Sequence, residues 1–268
     1  MTQLLINPFE GTEKDKPSEL EERIETIKDS VFQSIVNVYE ICKDSHYMEN
    51  DQQTVRNLFL NQLTPVQINQ FLQEIIRISP KTKLNSHLTG LFLSRLIMDS
   101  YLEGYNNFVL TTGDTQINNV GSYLHGTESN KIRLEIVGNV GDFAADFSTY
   151  SQIRIRGDSD AYLGRGSKHS EITTYGSTGL SLGRSSEQCI FTVQGNLESD
   201  GASFSKQSKY LIHGTIETPF GIGSDACTFI TSNSETYKKM LRTVHETCTM
   251  QLINPQGHIL KNVKRRKK

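Results

Sequence analysis

The sequence predicts an α+β chain in two parts, an N-terminal α-helical domain followed by a parallel β-solenoid. Three observations predict it. Glycine recurs at a fixed interval through the second half of the chain, at Gly138, Gly157, Gly176, Gly195 and Gly214, every interval being 19 residues. Other positions of the interval also hold one residue type from turn to turn. The texture of the sequence changes near residue 105, from helical spacing of apolar residues to β-formers and frequent glycine.

Residues 1–105 read as helices. Ser18 and Glu21 are placed as a capping box, in which each side chain satisfies a free N–H at the start of the helix. Behind it Leu20, Ile24, Ile27, Val31, Ile35, Val38 and Cys42 form one apolar seam. A second helix opens at Thr64-Pro65, with Pro at the first helical position and an apolar face of Ile68, Phe71, Leu72, Ile75 and Ile76. A third is expected over Ser86–Glu103, and polar loops near 43–52 and 79–86 separate the three.

From 106 to 233 the repeat rules. Counting from each glycine marker, with Asn119 and Asn233 as its outermost members, offset seven holds Gly126, Ala145, Gly164, Gly183, Ala202 and Gly221. Offset ten holds Ser129, Ser148, Ser167, Ser186, Ser205 and Ser224. Offset fifteen runs Leu134, Ile153, Ile172, Phe191, Tyr210 and Phe229, and offset seventeen starts Ile136, Ile155, Thr174, Val193. Residues two apart on a strand face the same side, so offsets fifteen and seventeen are the inward face of six coils, each stacked on the next as a parallel strand. The markers are read as corners that a Cβ would block, and the serines as hydrogen-bond partners of turn backbone. Lys168, Glu187, Lys206 and Asp225, at offset eleven, alternate in sign and become cross-coil neighbours.

Residues 234–252 are expected to be a capping helix, with Tyr237, Met240, Leu241 and Val244 at helical spacing, covering the last coil as the N-terminal helices cover the first. Residues 253–268 are read as a flexible basic tail, since six of the last eight side chains are Lys or Arg. Weak nucleic-acid contact is expected only there, because the net charge of −2 argues against a nucleic-acid binder as a whole.

The frame Gly176-x-x-Gly179-x-x-x-Gly183 recurs in reduced form as Gly138-x-x-Gly141-x-x-x-Ala145, Gly157-x-x-Asp160-x-x-x-Gly164 and Gly195-x-x-Glu198-x-x-x-Ala202. Over about 119–232 it resembles the GxxGxxxG β-helix domain at the C-terminal end of the glutamate synthase large subunit, and the β-helical subunit of formylmethanofuran dehydrogenase. The resemblance implies a right-handed β-helix that holds catalytic domains or subunits together. The flavin, iron–sulfur and amidotransferase residues of those families lie in other domains. Residue 2 here is Thr2, where an amidotransferase would carry a nucleophilic cysteine.

Candidate chemistry is thin. Gly176–Gly183 is followed by Arg184-Ser185-Ser186 and another strand, so it lacks the helix N-terminus and Lys-Ser/Thr pair of a phosphate loop. Cys189 and Cys227 share offset thirteen two coils apart, about 9.6 Å, too far for a disulfide. His125, His169 and His213 fall at three different offsets and cannot align as a zinc triad. Cys42 with His46, and His245 with Cys248, have the helical spacing of a Cys₂His₂ zinc set, but Cys42 also continues the apolar seam. Arg165 and Arg184 are neighbours at offset eight, with Asp146 beside them; an Asp–Arg pair with a solvated second arginine is expected. The four cysteines form no C-x-x-C pair, and no signal pattern or apolar span opens the chain, which points to a cytoplasmic protein. No catalytic, cofactor or metal site is assigned. The expected function is a non-catalytic scaffold or interaction module with protein partners; an enzyme using a solenoid face and a self-assembling structural protein are the alternatives.

Overall fold

The structure, a computed structural model, describes residues 30–44, 62–79, 86–245 and 247–264. The elements run α1 (Ser30–Asp44), α2 (Pro65–Ile78), α3 (Ser86–Leu102), β1 (Asn107–Gly113), β2 (Ile132–Gly138), β3 (Ser151–Ile155), β4 (Glu171–Thr174), β5 (Ile190–Val193), β6 (Lys209–Ile212), β7 (Thr228–Thr231), α4 (Ser234–Thr243), β8 (Thr249–Ile253) and β9 (Ile259–Lys264). The capping box at Ser18 and Glu21 lies outside the described residues.

One sheet holds all nine strands in sequence order, β1 to β8 parallel and β9 antiparallel to β8. From β2 to β7 each residue faces the one 19 positions later, as in Leu134↔Ile153 and Phe191↔Tyr210. Two rows of single bridges, Val140↔Ser159↔Thr178↔Leu197↔Ile216 and Thr149↔Lys168↔Glu187↔Lys206↔Asp225, stack the other sides of the coils. The result is a β-solenoid of about six turns.

The inward columns are those the spacing predicts. Phe191, Tyr210 and Phe229 are buried and stack ring on ring, with centroids 4.9 and 5.3 Å apart. Burial of a large aromatic contributes roughly 2–3 kcal/mol, and the stacking adds to it. Tyr210 carries its hydroxyl into this core and hydrogen-bonds Ser186 Oγ at 2.9 Å and the Gly183 carbonyl at 3.1 Å. Gly183 has φ +61, and an added Cβ would sit 2.6 Å from that hydroxyl, so the small residue at offset seven answers both backbone and packing. The marker glycines act differently. A Cβ on Gly176 or Gly195 would lie 2.7 Å from the backbone of the marker before it. They are close-approach positions.

Both ends of the repeat depart from the template. At the start, His125 bridges Thr149 while Ile132 pairs with Ser151, so five extra residues are accommodated in the turn between them. Consequently Ser129 is exposed and outside the serine ladder, where buried Leu124 takes its level. Gly113, the residue paired with Gly138, holds the marker position given to Asn119. At the other end Asn233 keeps the register one coil after Gly214, but its role differs: its side chain caps α4, accepting from the N–H groups of Glu235 and Thr236. The helix stops at Thr243, short of 252, because Met250 and Leu252 return as a strand whose side chains continue the inward columns. The segment read as a flexible tail forms β9 as far as Lys264; residues 265–268 lie outside the described residues.

The helices cover the first coil. Thr64 and Gln67 form a capping box that fixes the start of α2. Tyr39, Phe71 and Phe92 interlock at centroid distances of 5.5–5.7 Å. Gly90 of α3 lies so close to the solenoid that a Cβ would meet the Asn118 carbonyl oxygen. Ser94 Oγ bonds the Asn119 carbonyl, and Asn69 Oδ1 accepts from the N–H of Thr111 on β1. One continuous cluster of buried side chains runs from Ile35 to Leu252.

Candidate functional site

The sequence-predicted site residues are distributed as follows. In Gly176–Gly195 the backbone makes coil-to-coil hydrogen bonds, such as Gly179 N–H to the Ser159 carbonyl and Gly183 N–H to the Leu163 carbonyl. The next element is β5, so these N–H groups serve the solenoid.

Of the four residues weighed as zinc ligands, the three that are described, Cys42, His245 and Cys248, are not brought together. His46 lies outside the described residues. Cys42 is on α1 and packs against the core, whereas Cys248 is buried at the start of β8. The α1 helix is linked to the sheet through α2 and β1, and seven strand spacings, about 34 Å, separate β1 from β8. His245 follows the end of α4 instead of lying on it. No group of three or more potential ligands is found among the described residues.

Cys248 has a different neighbour, which the sequence hides. Between β7 and β8 the pairing step is 21 residues, because α4 intervenes, so Cys248 stands one coil beyond Cys227. The interaction between the two thiols raises Cys227 and lowers Cys248. Ser205 Oγ and Ser224 Oγ each lie 3.4 Å from one of these sulfurs. Cys189 sits farther along the same column, and burial pushes its thiol up to about 11.

Elsewhere on the coils Arg165 and Arg184 each form an ion pair. Arg165 donates from Nε and Nη2 to Asp146 Oδ2 at 3.0 and 2.6 Å, and Arg184 donates to Asp200 at 2.5 Å. The second arginine is thus paired, not merely solvated, because Asp200 comes round one coil later. Arg165 is also clad by Phe143, Phe147 and Tyr162, its guanidinium carbon 4.9–5.4 Å from their ring centres. Phe143 and Tyr162 share offset five and stack on each other, but Ser181 and Asp200 follow there, and Phe147 lies at offset nine, so the periodicity marks them only weakly. Asp146 is 2% exposed and its Oδ1 has no hydrogen-bond partner among the described residues. Burial raises its carboxyl to about 7 against the pull of Arg165.

A shallow groove of about 320 Å³ runs along one corner, lined by Asp158, Asp160, Glu198 and Glu217 among others. It is built by side chains that reach one coil onward. Asp158 accepts from Ser177 N–H at 2.7 Å, Ser177 Oγ from Asn196 N–H at 3.1 Å, and Asn196 Oδ1 from Thr215 N–H at 2.9 Å. Burial first, then the charges of Asp142, Glu198 and Asp158, raise the Asp160 carboxyl.

The histidines stay apart. His169 stacks on Tyr150 with centroids 4.8 Å apart, His125 Nδ1 meets Thr149 Oγ1 at 3.1 Å, and His213 Nδ1 meets Ser232 Oγ at 3.3 Å.

Comparison with family models, with curated proteins and with solved structures finds no match to this chain. No helix among the described residues is long and apolar enough to cross a membrane.

Proposed function

We propose that the chain is a non-catalytic scaffold or protein-interaction module, with the solenoid as a rigid body and a protein as its partner. The observation that carries this reading is the use made of charge on the coils. Arg165 is engaged by Asp146, Arg156 by Glu135, Arg184 by Asp200 and Lys168 by Glu187, each acid belonging to a neighbouring coil. Side chains that hold one coil to the next serve rigidity, which is what a scaffold needs. The GxxGxxxG frame supports a role within a larger assembly, as in the glutamate synthase and formylmethanofuran dehydrogenase domains it resembles, with right-handed coils of 19 residues. A cytoplasmic setting goes with the reduced thiols of Cys189, Cys227 and Cys248.

Affinity purification of the full chain from its native host tests the reading. A stoichiometric protein partner is expected; turnover of a small molecule that is lost in a point variant of a solenoid face would overturn it. The second reading is an enzyme acting in the corner groove, favoured by Asp160, whose raised carboxyl among other acids is a general-acid arrangement. Asp160→Asn separates the two, since a scaffold keeps its partner after that change.

A further inference from the structure

The two edges of the nine-stranded sheet are unlike. β1 lies under α2, and Phe108 and Leu110 are buried there. At the other edge β9 pairs with β8 on one side, and no strand of the described residues lies on the other. All six residues of β9 are exposed, Ile259 by 56% and Leu260 by 61%. Met250 faces Val263 and Leu252 faces Lys261, so the inward columns of the solenoid continue onto this open strand. Its free N–H and C=O groups are a ready template for another extended chain.

Charge selects the occupant. β9 carries Lys261 and Lys264 and runs straight into Arg265, Arg266, Lys267 and Lys268, with no carboxylate side chain from 259 to 268. A second copy would bring Lys261 and Lys264 against the same lysines of its own β9, and like charges facing across strands are unfavourable. A nucleic acid would use the charge, but it has no use for main-chain donors and acceptors in strand register, and β9 has no aromatic side chain to stack on a base.

We infer that β9 is a docking edge that takes an extended acidic segment of a partner protein as a tenth strand, its carboxylates meeting Lys261 and Lys264. The inference rests on the reading of the chain as an interaction module and names the part of it that binds.

The test measures binding of the full chain to three probes by fluorescence anisotropy at two salt concentrations. The probes are a short peptide repeating Glu-Glu-Val-Val, which shows carboxylates on both faces of a strand (the Glu-Val peptide), the same peptide with two central Val replaced by Pro, and a single-stranded oligonucleotide. The Glu-Val peptide is expected to bind, more weakly at high salt, and about tenfold tighter than its proline counterpart, which has equal charge but lacks ladder N–H groups. Lys261→Glu/Lys264→Glu, at exposed positions, is expected to weaken that peptide by about tenfold or more. Equal binding of the two peptides, tighter binding of the oligonucleotide, or concentration-dependent dimerisation lost in the double variant would overturn the inference. A peptide that binds the double variant as well as the unaltered chain would overturn strand addition at β9 and leave the interaction-module reading standing. Turnover of a small molecule abolished by Asp160→Asn would remove that reading itself.

Discussion

The first coil and the last strand of the solenoid face the same physical problem and meet it in opposite ways. A stack of parallel strands ends in a row of unpaired backbone groups and a cross-section of apolar core. At the β1 end, α2 and α3 cover the core, and Gln73 and Asn69 reach across to bond the carbonyl and N–H of Thr111. At the β9 end the sheet is simply extended, first by β8 under α4 and then by a hairpin strand that buries none of its side chains. Covering uses large apolar side chains to close an edge. Extension with lysines leaves the edge open while discouraging self-association. One end is therefore closed by packing, and the other leaves a row of backbone groups without a neighbouring strand among the described residues.

Substitutions of graded effect break or sharpen that contrast. The largest is expected at the covered end. Phe92, fully buried between Tyr39 and Phe71, should lose about 3–5 kcal/mol on Phe92→Ala in urea unfolding, the range for a buried aromatic.

The next effect lies within the coils and depends on pH. The Asp146 carboxyl is raised from 3.8 to about 7, so the folded chain holds that proton more tightly than the unfolded one. Its contribution to stability is complete below pH 3.8 and is lost as pH rises through 7. Stability curves of Asp146→Asn and the unaltered chain should accordingly diverge in favour of the variant between those values, by on the order of a few kcal/mol, and run parallel above them. Curves parallel throughout would mean that the aspartate is ionised in its pocket.

Gly90→Ala places a methyl group against the Asn118 carbonyl where α3 meets the first coil, and a cost of about 1–3 kcal/mol is expected by thermal melting. The smallest effect belongs to the open end: Leu260→Glu should change stability by no more than about 0.5 kcal/mol, since that side chain is already in water.

Which parts of this were legible in the sequence follows from what repeats. Stacked coils impose one demand at one offset, so Gly176, Ser186 and Phe191 announce the register and the inward face. Departures from the period are illegible for the same reason. The loop after Gly126 lengthens the first coil, so its marker is Gly113 and not a residue 19 before Gly138, and Asn119, Gly126 and Ser129 match the template by coincidence. The helix inserted before β8 hides Cys248 from its column and lets TMQLI pass for the end of a helix. β9 was obscured by its own charge, because a run such as KNVK reads as solvated tail unless a neighbouring strand is known to supply hydrogen bonds. Of the cluster around Asp146 the period gives the Asp146–Arg165 pair, one coil apart at offset eight, but neither its burial nor its cladding. Phe143 and Tyr162 also share an offset, but an aromatic residue stands there in only two coils and Phe147 lies at another offset, too short a run to announce a site.

Hydrogen exchange on the full chain tests the asymmetry of the two ends most directly. The account predicts slow exchange over 107–113 and 132–138, fast exchange over 259–264, and slowing of 259–264 alone when the acidic Glu-Val peptide is added. Protection of 259–264 in the free chain equal to that of 107–113, or no change there on adding the peptide, would contradict it.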